Sequence, residues 1–358
     1  MSPTLTIGGR VVGPGHPVYV VAELSANHGG DFERALALVE AAKQAGADAV
    51  KLQTYTPDTL TLDSDAEPFR VRGGTLWDGR TLHDLYREAQ TPWEWQPKLK
   101  ARADALGLDL FSSPFDDSSV EFLEAMGVPA YKIASFEIVD HALIRRAART
   151  GKPLIISTGM ANREEIGEAV RVARDAGAAG VALLKCTSAY PAPPEEMNLR
   201  AIPALAAAFD VPVGLSDHTL GSAAAVAAVA LGACILEKHL TLSRSLGGPD
   251  AAFSAEPDEL RDLVRAVRTA EAALGLADHG LGEAEARSRA FRRSLFVVRD
   301  VKRGEVFTAE NVRSIRPAGG LAPKHLDAVL GRAAARDLVR GTPLAWDLVG
   351  DPEGPDRR

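Results

Sequence analysis

The sequence predicts an α/β protein: a (β/α)₈ TIM barrel followed by a small β-rich domain. Eight short runs rich in β-branched residues alternate with amphipathic helical runs between residues 18 and 276, which matches this barrel in number, order and length. No glycine-rich GxGxxG turn follows any of these runs, which disfavours a doubly wound open sheet. A chain of 358 residues has room for one large domain and one small one.

The strand pattern can be followed in order along the chain. Each run is bounded by turn residues, and several of the helical patterns between them end in glycine just before the next strand. The candidate strands are VYVVAEL (18–24), AVKLQTY (49–55), DLFSSPF (109–115), AYKIAS (130–135), PLIISTG (153–159), VALLKCTS (181–188), VPVGLSDH (211–218) and CILEKHLT (234–241).

Two connections are longer than the others. Residues 56–82 separate the second strand from the next helical pattern, and unstructured loops rarely run so long. This segment is either a substrate lid or a packed surface excursion. The second connection, residues 243–257, follows the eighth strand and holds Asp250 beside two glycines.

The pattern changes after the barrel. Residues 277–290, ADHGLGEAEARSRA, are polar and charged and are interpreted as a linker. Residues 291–350 contain short strand-like runs, KRGE and VRGT turns and no long amphipathic helix. We therefore predict a catalytic barrel over residues 1–276 and a small β-rich domain over 291–350.

Composition excludes several classes of protein. The net charge is −7 with both signs interspersed, so no basic stripe indicates nucleic acid. Cys186 and Cys234 fall inside apolar runs and make no disulfide framework, which is typical of a reducing cytoplasm. No apolar stretch approaches the length of a bilayer span, and the N-terminal MSPTLTIGGR lacks the apolar core of a signal peptide. We therefore expect a cytoplasmic protein with no membrane partner.

Polar residues interrupt the apolar runs near the end of each unit. Active residues of a TIM barrel lie where the strands end and the βα loops begin. For any one polar residue, solvation at a strand end is the simpler explanation, but for the whole set function is the better one. The set comprises Glu23, Lys51, Gln53, Ser113, Lys132, Ser135, Ser157, Ser188, Tyr190, Ser216, His218, Glu237 and His239.

Two histidines near the ends of the last two strands predict a metal site. Ser216 and His218 lie two residues apart, as do Glu237 and His239, so each pair projects to one side of its strand. Consecutive parallel strands joined by a helix are neighbours, which brings the two imidazoles together. Such a pair suits Mn²⁺ or Mg²⁺ with positions left for substrate, where the ion would act as a Lewis acid on a carbonyl oxygen.

Two lysines and a ring of serines predict an anion site. Lys51 and Lys132 project from the barrel mouth, and a phosphate with an adjacent carboxylate requires such ammonium groups together with hydroxyl donors. Lys185 is a third candidate, although it is out of phase with its neighbours and could face the helices. Glu23 and Glu237 adjoin in a closed barrel, and either could deprotonate water or a sugar hydroxyl. These residues favour a metal-assisted reaction that joins a phosphorylated carboxylate to a carbonyl compound.

Motifs along nearly the whole chain resemble the sialic acid synthase family. This family couples phosphoenolpyruvate to an amino sugar to form nonulosonates and carries a C-terminal SAF (antifreeze-like, β-clip) domain. The motifs are VAELSANHGG, VKLQTYTPDTL, FSSPFD, YKIASFE, ISTGMA, LLKCTSAYPAPPEEMNL, GLSDHTLG, LEKHLTLSRSLGGPDAAFS and SIRPAGG.

The resemblance implies roles for individual residues. It places the metal on His218 and His239, and it implies a domain-swapped homodimer in which Arg316 of the SAF domain reaches the site of the other subunit. It implies sugar contacts at Glu23, Gln53, Tyr190, Glu237 and Asp250. It places phosphoenolpyruvate on Lys51, Ser113, Lys132, Ser135, Ser157, Ser188 and Ser216.

Within the family, four segments resemble the branch that uses 2,4-diacetamido-2,4,6-trideoxy-L-altrose more than the N-acetylneuraminate or legionaminate branches. Ser188 departs from the asparagine usual in the neuraminate branch, and the choice between Ser112 and Ser113 is open. The apolar 6-deoxy end of such a sugar is expected to meet Phe115, Leu76 or Trp77. The four segments are TYTPDTLTL, GTLWDGRTLHDLY, TPWEW and KCTSAYPAPPEEMNLR.

Three other hypotheses for the function are weighed. The nearest is an N-acetylneuraminate or legionaminate synthase. A class II aldolase or a phospho-sugar epimerase would use a similar barrel but would need no SAF domain and would consume no phosphoenolpyruvate. A sugar-binding or structural module is disfavoured, because it has no physical reason to retain Lys51, Lys132, His218 and His239 together.

Overall fold

The computed structural model describes residues 3–275 and 280–350. The chain divides into two compact units, residues 1–275 and residues 276–358. Residues 276–279 of the predicted boundary and linker lie outside the described residues. The described part of the linker contains a short helix, α11 (Glu283–Ser288).

The first unit is a closed barrel of eight parallel strands, and the TIM barrel prediction is confirmed. Strand order around the barrel follows the sequence, and the last strand pairs with the first. Every predicted strand contains an observed one, although the observed strands are shorter at their ends. After an N-terminal hairpin, β1 (Leu5–Ile7) and β2 (Arg10–Val12), the barrel strands are β3 (Tyr19–Glu23), β4 (Ala49–Thr54), β5 (Asp109–Pro114), β6 (Tyr131–Ile133), β7 (Leu154–Ser157), β8 (Val181–Cys186), β9 (Val213–Asp217) and β10 (Ile235–His239).

Helices cover the outside of the barrel, and several begin or end at capping residues that can be recognised in the sequence. Asp31 accepts two backbone N–H bonds at the start of α1, and Gly46 ends this helix with a left-handed φ of 89°, which glycine adopts without steric cost. Asn162 and Glu165 form a capping box on α7. The helices are α1 (Phe32–Ala45), α2 (Pro57–Leu60), α3 (Leu82–Ala89), α4 (Gln96–Ala105), α5 (Asp117–Ala125), α6 (His141–Ala148), α7 (Arg163–Asp175), α8 (Ala201–Phe209), α9 (Ala223–Ala230) and α10 (Pro257–Leu274).

The N-terminal hairpin was not predicted, because its strands have only three residues each. It packs against the end of the barrel opposite the predicted site. A Cβ on Gly180, which precedes β8, would lie 2.9 Å from the Cβ of Leu5, and a Cβ on Gly8 would overlap the side chain of Asp109 at the start of β5. Leu5 and Ile7 are buried there. The hairpin thus closes the bottom of the barrel and leaves the other end for chemistry.

The long connection after β4 has structure of its own. It contains α2, a 3₁₀ turn and a bridge between Arg70 and Thr81 that closes its second half into a loop. At its tip, the indole Nε1 of Trp77 donates to the carbonyl oxygen of Pro249 at 2.9 Å. The two long βα loops of the sequence therefore meet above the barrel mouth.

The second unit is small and β-rich, as predicted. Strands β11 (Ser294–Val297) and β12 (Val312–Ile315) pair in antiparallel fashion, and a short helix, α12 (Leu326–Val329), follows. Leu295, Phe307 and Leu344 are fully buried in its own core. Among the described residues of the whole chain, no helix is both long enough and apolar enough to cross a membrane.

Candidate active site

Four charged side chains converge inside the barrel mouth. The Nζ of Lys51 lies 2.7 Å from Glu23 Oε2 and 3.5 Å from Glu237 Oε1. The Nζ of Lys132 lies 3.4 Å from the same Glu237 oxygen, and Ser216 Oγ donates to it at 3.3 Å. All four charged residues are buried. Two ammonium groups therefore share carboxylates in a space closed to bulk water.

Burial and mutual attraction set the protonation of these groups. Burial raises the pKa of Glu23 above its ordinary value, and the Lys51 charge offsets this only in part. Burial acts in the same direction on Glu237, but Lys132 and Lys51 outweigh it and lower its pKa. Burial lowers the pKa of Lys132. Glu237 is therefore the more strongly ionised carboxylate, held between two ammonium groups.

The two predicted metal-binding imidazoles face each other. The ring centroids of His218 and His239 lie 5.4 Å apart. His218 Nδ1 lies 3.0 Å from the carbonyl oxygen of Thr187, which can only accept, so Nδ1 carries a proton. Burial lowers the pKa of His218, but Cys186 outweighs it and raises that pKa above its ordinary value. Nε2 is the nitrogen that a metal would bind, after it has given up any proton. Burial lowers the pKa of His239 far below its ordinary value, so this imidazole is neutral and able to bind a metal.

The donor atoms at this point fit a divalent cation. The buried atoms His239 Nδ1 and Glu237 Oε2 have no hydrogen-bond partner, although buried polar atoms are almost always paired. Within the ranges that the structure describes, no three His, Cys, Asp or Glu side chains form a ready metal cluster. Two imidazoles would therefore leave most coordination positions to substrate oxygens and water.

Serine hydroxyls surround a small backbone cradle at the ends of β6, β7 and β8. The N–H of Gly159 donates to Ser135 Oγ at 3.2 Å. A Cβ on Gly159 would overlap the hydroxyl of Ser188 and lie 2.7 Å from that of Ser135. The hydroxyl of Ser157 is buried without a partner. The cradle therefore offers hydroxyl donors to an anion, with Ser135 held by the N–H of Gly159, and it has no room for a side chain at residue 159.

The structure decides two questions that the sequence left open. Ser113 faces the interior, where Lys51 Nζ lies 3.4 Å from its hydroxyl. Ser112 faces the helices and bonds to Thr54 Oγ1 at 2.7 Å. Lys185 also points away from the anion site, because its Nζ donates to the carbonyl oxygen of Cys186 at 2.7 Å and to Thr187 Oγ1 at 3.2 Å.

Three of the residues predicted to contact a sugar, Glu23, Gln53 and Asp250, are joined by hydrogen bonds. Gln53 Nε2 donates to Glu23 Oε1 at 3.0 Å and to Ser25 Oγ at 3.1 Å, and Ser25 in turn donates to Asp250. The ring of Tyr190 lies 4.4 Å from that of His218. A polar wall and an aromatic wall thus flank the paired imidazoles.

Sequence reasoning missed Ser25, Gly159, Phe253 and Glu137. Ser25 has a left-handed φ of 45°, a conformation that non-glycine residues rarely adopt. Phe253 packs its ring 5.0 Å from that of His239. Glu137 follows Ser135 by two residues, and burial raises its pKa to about 7. Its position in YKIASFE was the one available signal.

Arg316 lies in the second unit, directly after β12, and its side chain is exposed. Its role in an active site stays a prediction. Cys186 and Cys234 are free and buried.

Paired ammonium groups, a hydroxyl-lined cradle and facing imidazoles meet at the carboxyl end of a (β/α)₈ barrel, and this combination suits an enzyme of anionic substrates. The family comparisons are more specific. The NeuB family matches residues 38–279 and the SAF domain matches residues 292–350. The chain belongs to the NeuB family.

Individual relatives within the family have more specific names. A protein of Campylobacter jejuni (strain 81-176) named pseudaminic acid synthase is 48% identical over 91% of this chain and 95% of its own length. One of the same name from Helicobacter pylori is 45% identical over 93% and 98%. The crystal structure of an N-acetylneuraminic acid synthetase from Leptospira borgpetersenii, in complex with citrate, superimposes with a TM-score of 0.72 at 33% identity, covering 80% of this chain and 95% of that one.

Proposed function

We propose that the protein is a pseudaminic acid synthase. It condenses phosphoenolpyruvate with the open-chain aldehyde of 2,4-diacetamido-2,4,6-trideoxy-L-altrose. The observation that supports the reaction class is the buried pair Lys51 and Lys132 around Glu237, directly beside the facing imidazoles. The choice of sugar is supported by the relatives of that name, which are 48% and 45% identical, against 33% for the N-acetylneuraminic acid synthetase.

The reaction forms one carbon–carbon bond, and at C2 it replaces the bond to the phosphate oxygen with a bond to the oxygen of water. C3 of phosphoenolpyruvate attacks the aldehyde carbon, and the aldehyde oxygen takes a proton to become a hydroxyl group. Water adds to the cation left at C2 and loses a proton. Phosphate then leaves with its bridging oxygen, and the C2 hydroxyl loses its proton to give the ketone. Phosphoenolpyruvate, aldehyde and water are thus converted to pseudaminic acid and phosphate.

The anion site would hold phosphoenolpyruvate. Lys51 and Lys132 supply positive charge in a dry environment, where charge-assisted hydrogen bonds are strongest. Hydroxyl donors would orient the phosphate, with Ser135 held in place by the N–H of Gly159. The hydroxyls are those of Ser113, Ser135, Ser157, Ser188 and Ser216.

Gly159 carries a specific prediction. Gly159→Ala is expected to raise the KM for phosphoenolpyruvate by about tenfold or more, because the added methyl group occupies the cradle and displaces Ser188. The measurement is steady-state kinetics with the sugar saturating. Gly167→Ala on α7 is the matched control, since a Cβ there meets its nearest neighbour at an ordinary 3.4 Å. An unchanged KM in the Gly159 variant would contradict the assignment.

His218 and His239 would hold Mn²⁺ or Mg²⁺. When bound, such an ion supplies Lewis-acid polarisation of the aldehyde. Glu237 is placed to take a proton from the attacking water, because its Oε2 is buried and unpartnered. Glu23, with its raised pKa, is the better proton donor to the new hydroxyl group.

The sugar would lie between the polar and aromatic walls. Gln53 and Asp250 are placed to bind its hydroxyl and acetamido groups. Its 6-deoxy methyl group would meet Trp77, whose ring lies 5.6 Å from that of Tyr190, or Phe115, whose ring packs 5.3 Å from Tyr55. Leu76 is more than half exposed and is the weaker candidate.

Substrate competition tests the proposal. Purified protein with Mn²⁺ and phosphoenolpyruvate is offered the altro sugar, the legionaminate precursor or N-acetylmannosamine, and phosphate release is measured. The altro sugar is expected to give a kcat/KM at least about 10²-fold higher, since lost hydrogen bonds of this kind cost several kcal/mol. Preference for either other sugar would make the protein a legionaminate or N-acetylneuraminate synthase. No phosphate release with any sugar would refute the class.

Glu137 carries a pH prediction. Burial raises its pKa to about 7, against about 4.3 in an unfolded chain. Between these values the unfolded chain binds fewer protons than the folded one, so the free energy of unfolding falls as pH rises. Glu137→Gln removes this loss and is expected to raise Tm at pH 8 by about 2–6 °C, with a smaller rise at pH 5.

Calorimetry at both pH values on metal-free protein measures this effect. Glu121→Gln, at an exposed position on α5, is the control and should shift Tm equally at both. A Glu137→Gln shift that does not grow with pH would show that this carboxyl group ionises normally.

We also propose a domain-swapped homodimer in which Arg316 completes the partner's site. Residues 1–275 carry 26 Lys and Arg against 36 Asp and Glu, a net charge of −10, whereas residues 276–358 carry 15 against 12, a net charge of +3. Phe136, Met160 and Leu220 follow β6, β7 and β9 at the barrel mouth and are each more than 60% exposed (62%, 63% and 63%). An acidic barrel with an apolar rim suits a basic cover.

Mixing two inactive variants tests the swap. Lys132→Met and Arg316→Ala chains are denatured and refolded together, and activity is compared with each variant alone. In a swapped dimer each heterodimer contains one intact site, so about a quarter of wild-type activity should return at equal mixing. If both variants are inactive alone and mixing restores nothing, Arg316 acts within its own chain.

A further inference from the structure

Strand alternation places a second pair of charged residues back to back with the proposed metal ligands. Asp217 precedes His218 and Lys238 precedes His239, so their side chains point to the opposite face, into the layer between the strands and the helices. Both are buried, with exposures of 2% and 3%. The Nζ of Lys238 lies 2.8 Å from Asp217 Oδ2, and the two residues are register partners in the barrel.

Both side chains of the pair form further hydrogen bonds to the segment that carries His218. Lys238 Nζ also donates to the carbonyl oxygen of Thr219 and reaches that of Gly221 at 3.5 Å. Asp217 Oδ1 accepts from Thr219 N at 2.9 Å and from Thr219 Oγ1 at 2.8 Å. The ammonium group of β10 is thereby bonded on both sides of His218 along the chain.

Stability alone does not account for this arrangement. Desolvating a buried ion pair costs about as much as its attraction returns, so apolar residues of similar volume would hold the two strands as well. The backbone ladder already joins β9 and β10, but it ends at Asp217, one residue before His218. What the pair adds is a fixed path for the chain beyond the end of the strand, where the imidazole is attached.

We propose that Asp217 and Lys238 are positioning residues that fix His218 relative to His239, and thereby set the affinity of the site for a divalent cation. The inference rests on the proposed function, because it takes the two imidazoles as the ligands. Outer partners that hold ligands in place typically contribute a 10- to 100-fold factor in metal affinity. The pair touches neither substrate nor metal and acts only through the chain that carries His218.

The test replaces both charges at once, because removing one would leave the other buried and unpaired. Metal-free Asp217→Asn/Lys238→Met protein is titrated with Mn²⁺, and free Mn²⁺ is followed by its electron paramagnetic resonance signal. The Kd for Mn²⁺ is expected to rise about 10- to 100-fold. Asp109→Asn is the matched control, since it removes a carboxylate bonded to Tyr19 OH at 2.7 Å at the opposite end of the barrel, and its Kd should equal that of the wild type.

Two further variants separate the possible failures. His218→Ala removes a ligand outright, so a wild-type Kd in that variant would refute the metal site itself. A large effect of His218→Ala with a wild-type Kd in the double variant would refute the positioning role alone. Thr219→Val removes only the hydroxyl bond to Asp217 and serves if the double variant does not fold. It should raise the Kd about two- to fivefold, and an unchanged value would equally overturn the proposal.

Discussion

Replacing His239 with alanine is expected to lower kcat/KM by about 10³-fold or more, because in the proposed mechanism the site loses one of its two protein ligands for the metal, and the metal polarises the aldehyde. The imidazole is neutral, buried and unpartnered at Nδ1, so it has no structural bond to lose. Folding should therefore be retained. Phosphate release and Mn²⁺ binding are measured together.

The control for this variant is His141→Ala, on a partly exposed position of α6. It is expected to leave both kcat/KM and the Mn²⁺ affinity unchanged. Undiminished turnover in folded His239→Ala protein would remove the basis for a metal-assisted reaction at this end of the barrel.

Replacing Lys132 with methionine is expected to lower kcat/KM by about 10²- to 10³-fold, mainly through a weaker hold on phosphoenolpyruvate. Its ammonium group lies 3.4 Å from Glu237 Oε1 in the buried mouth, where a lost charge-assisted bond to a phosphate is not replaced by water. The loss should appear in the KM for phosphoenolpyruvate before that of the sugar. Isothermal titration calorimetry measures the Kd for phosphoenolpyruvate directly.

Lys185→Met provides the comparison for this variant. Lys185 also lies near the end of a barrel strand, but its Nζ bonds to Cys186 and Thr187 and not to the anion site. Its phosphoenolpyruvate affinity should stay within about threefold of the wild type. If Lys132→Met and Lys185→Met lose the same phosphoenolpyruvate affinity, then a lysine near the end of a barrel strand affects binding whichever way its side chain points.

Most of the fold could be predicted because it follows from local patterns of apolar and polar residues along the chain. Eight apolar runs alternating with amphipathic helices leave few architectures open, and helix ends were marked by residues such as Asp31 and Gly46. The N-terminal hairpin could not be predicted in this way. Its three-residue strands are too short for a periodic signal, and its stability comes from contact with distant residues such as Gly180 and Asp109.

Much of the candidate site could be predicted for the same reason. Residues at strand ends meet in any parallel barrel, so Lys51, Lys132 and Glu237 could be grouped without coordinates. Ser25 and Gly159 could not, because their contributions depend on backbone conformation and on close approach between loops. The raised pKa of Glu137 depends on burial, which one sequence does not reveal.

The sequence by itself determined the barrel, the small β-rich unit and the residue types that gather at the barrel mouth, because periodicity and strand order are local properties of the chain. Only the tertiary structure decided which of two adjacent side chains faces the interior, as with Ser113 over Ser112 and with the outward turn of Lys185. It also decided that Asp217 and Lys238 meet behind the imidazoles. Direction and contact arise from how neighbouring strands and loops pack, and that packing exists only once the chain has closed on itself.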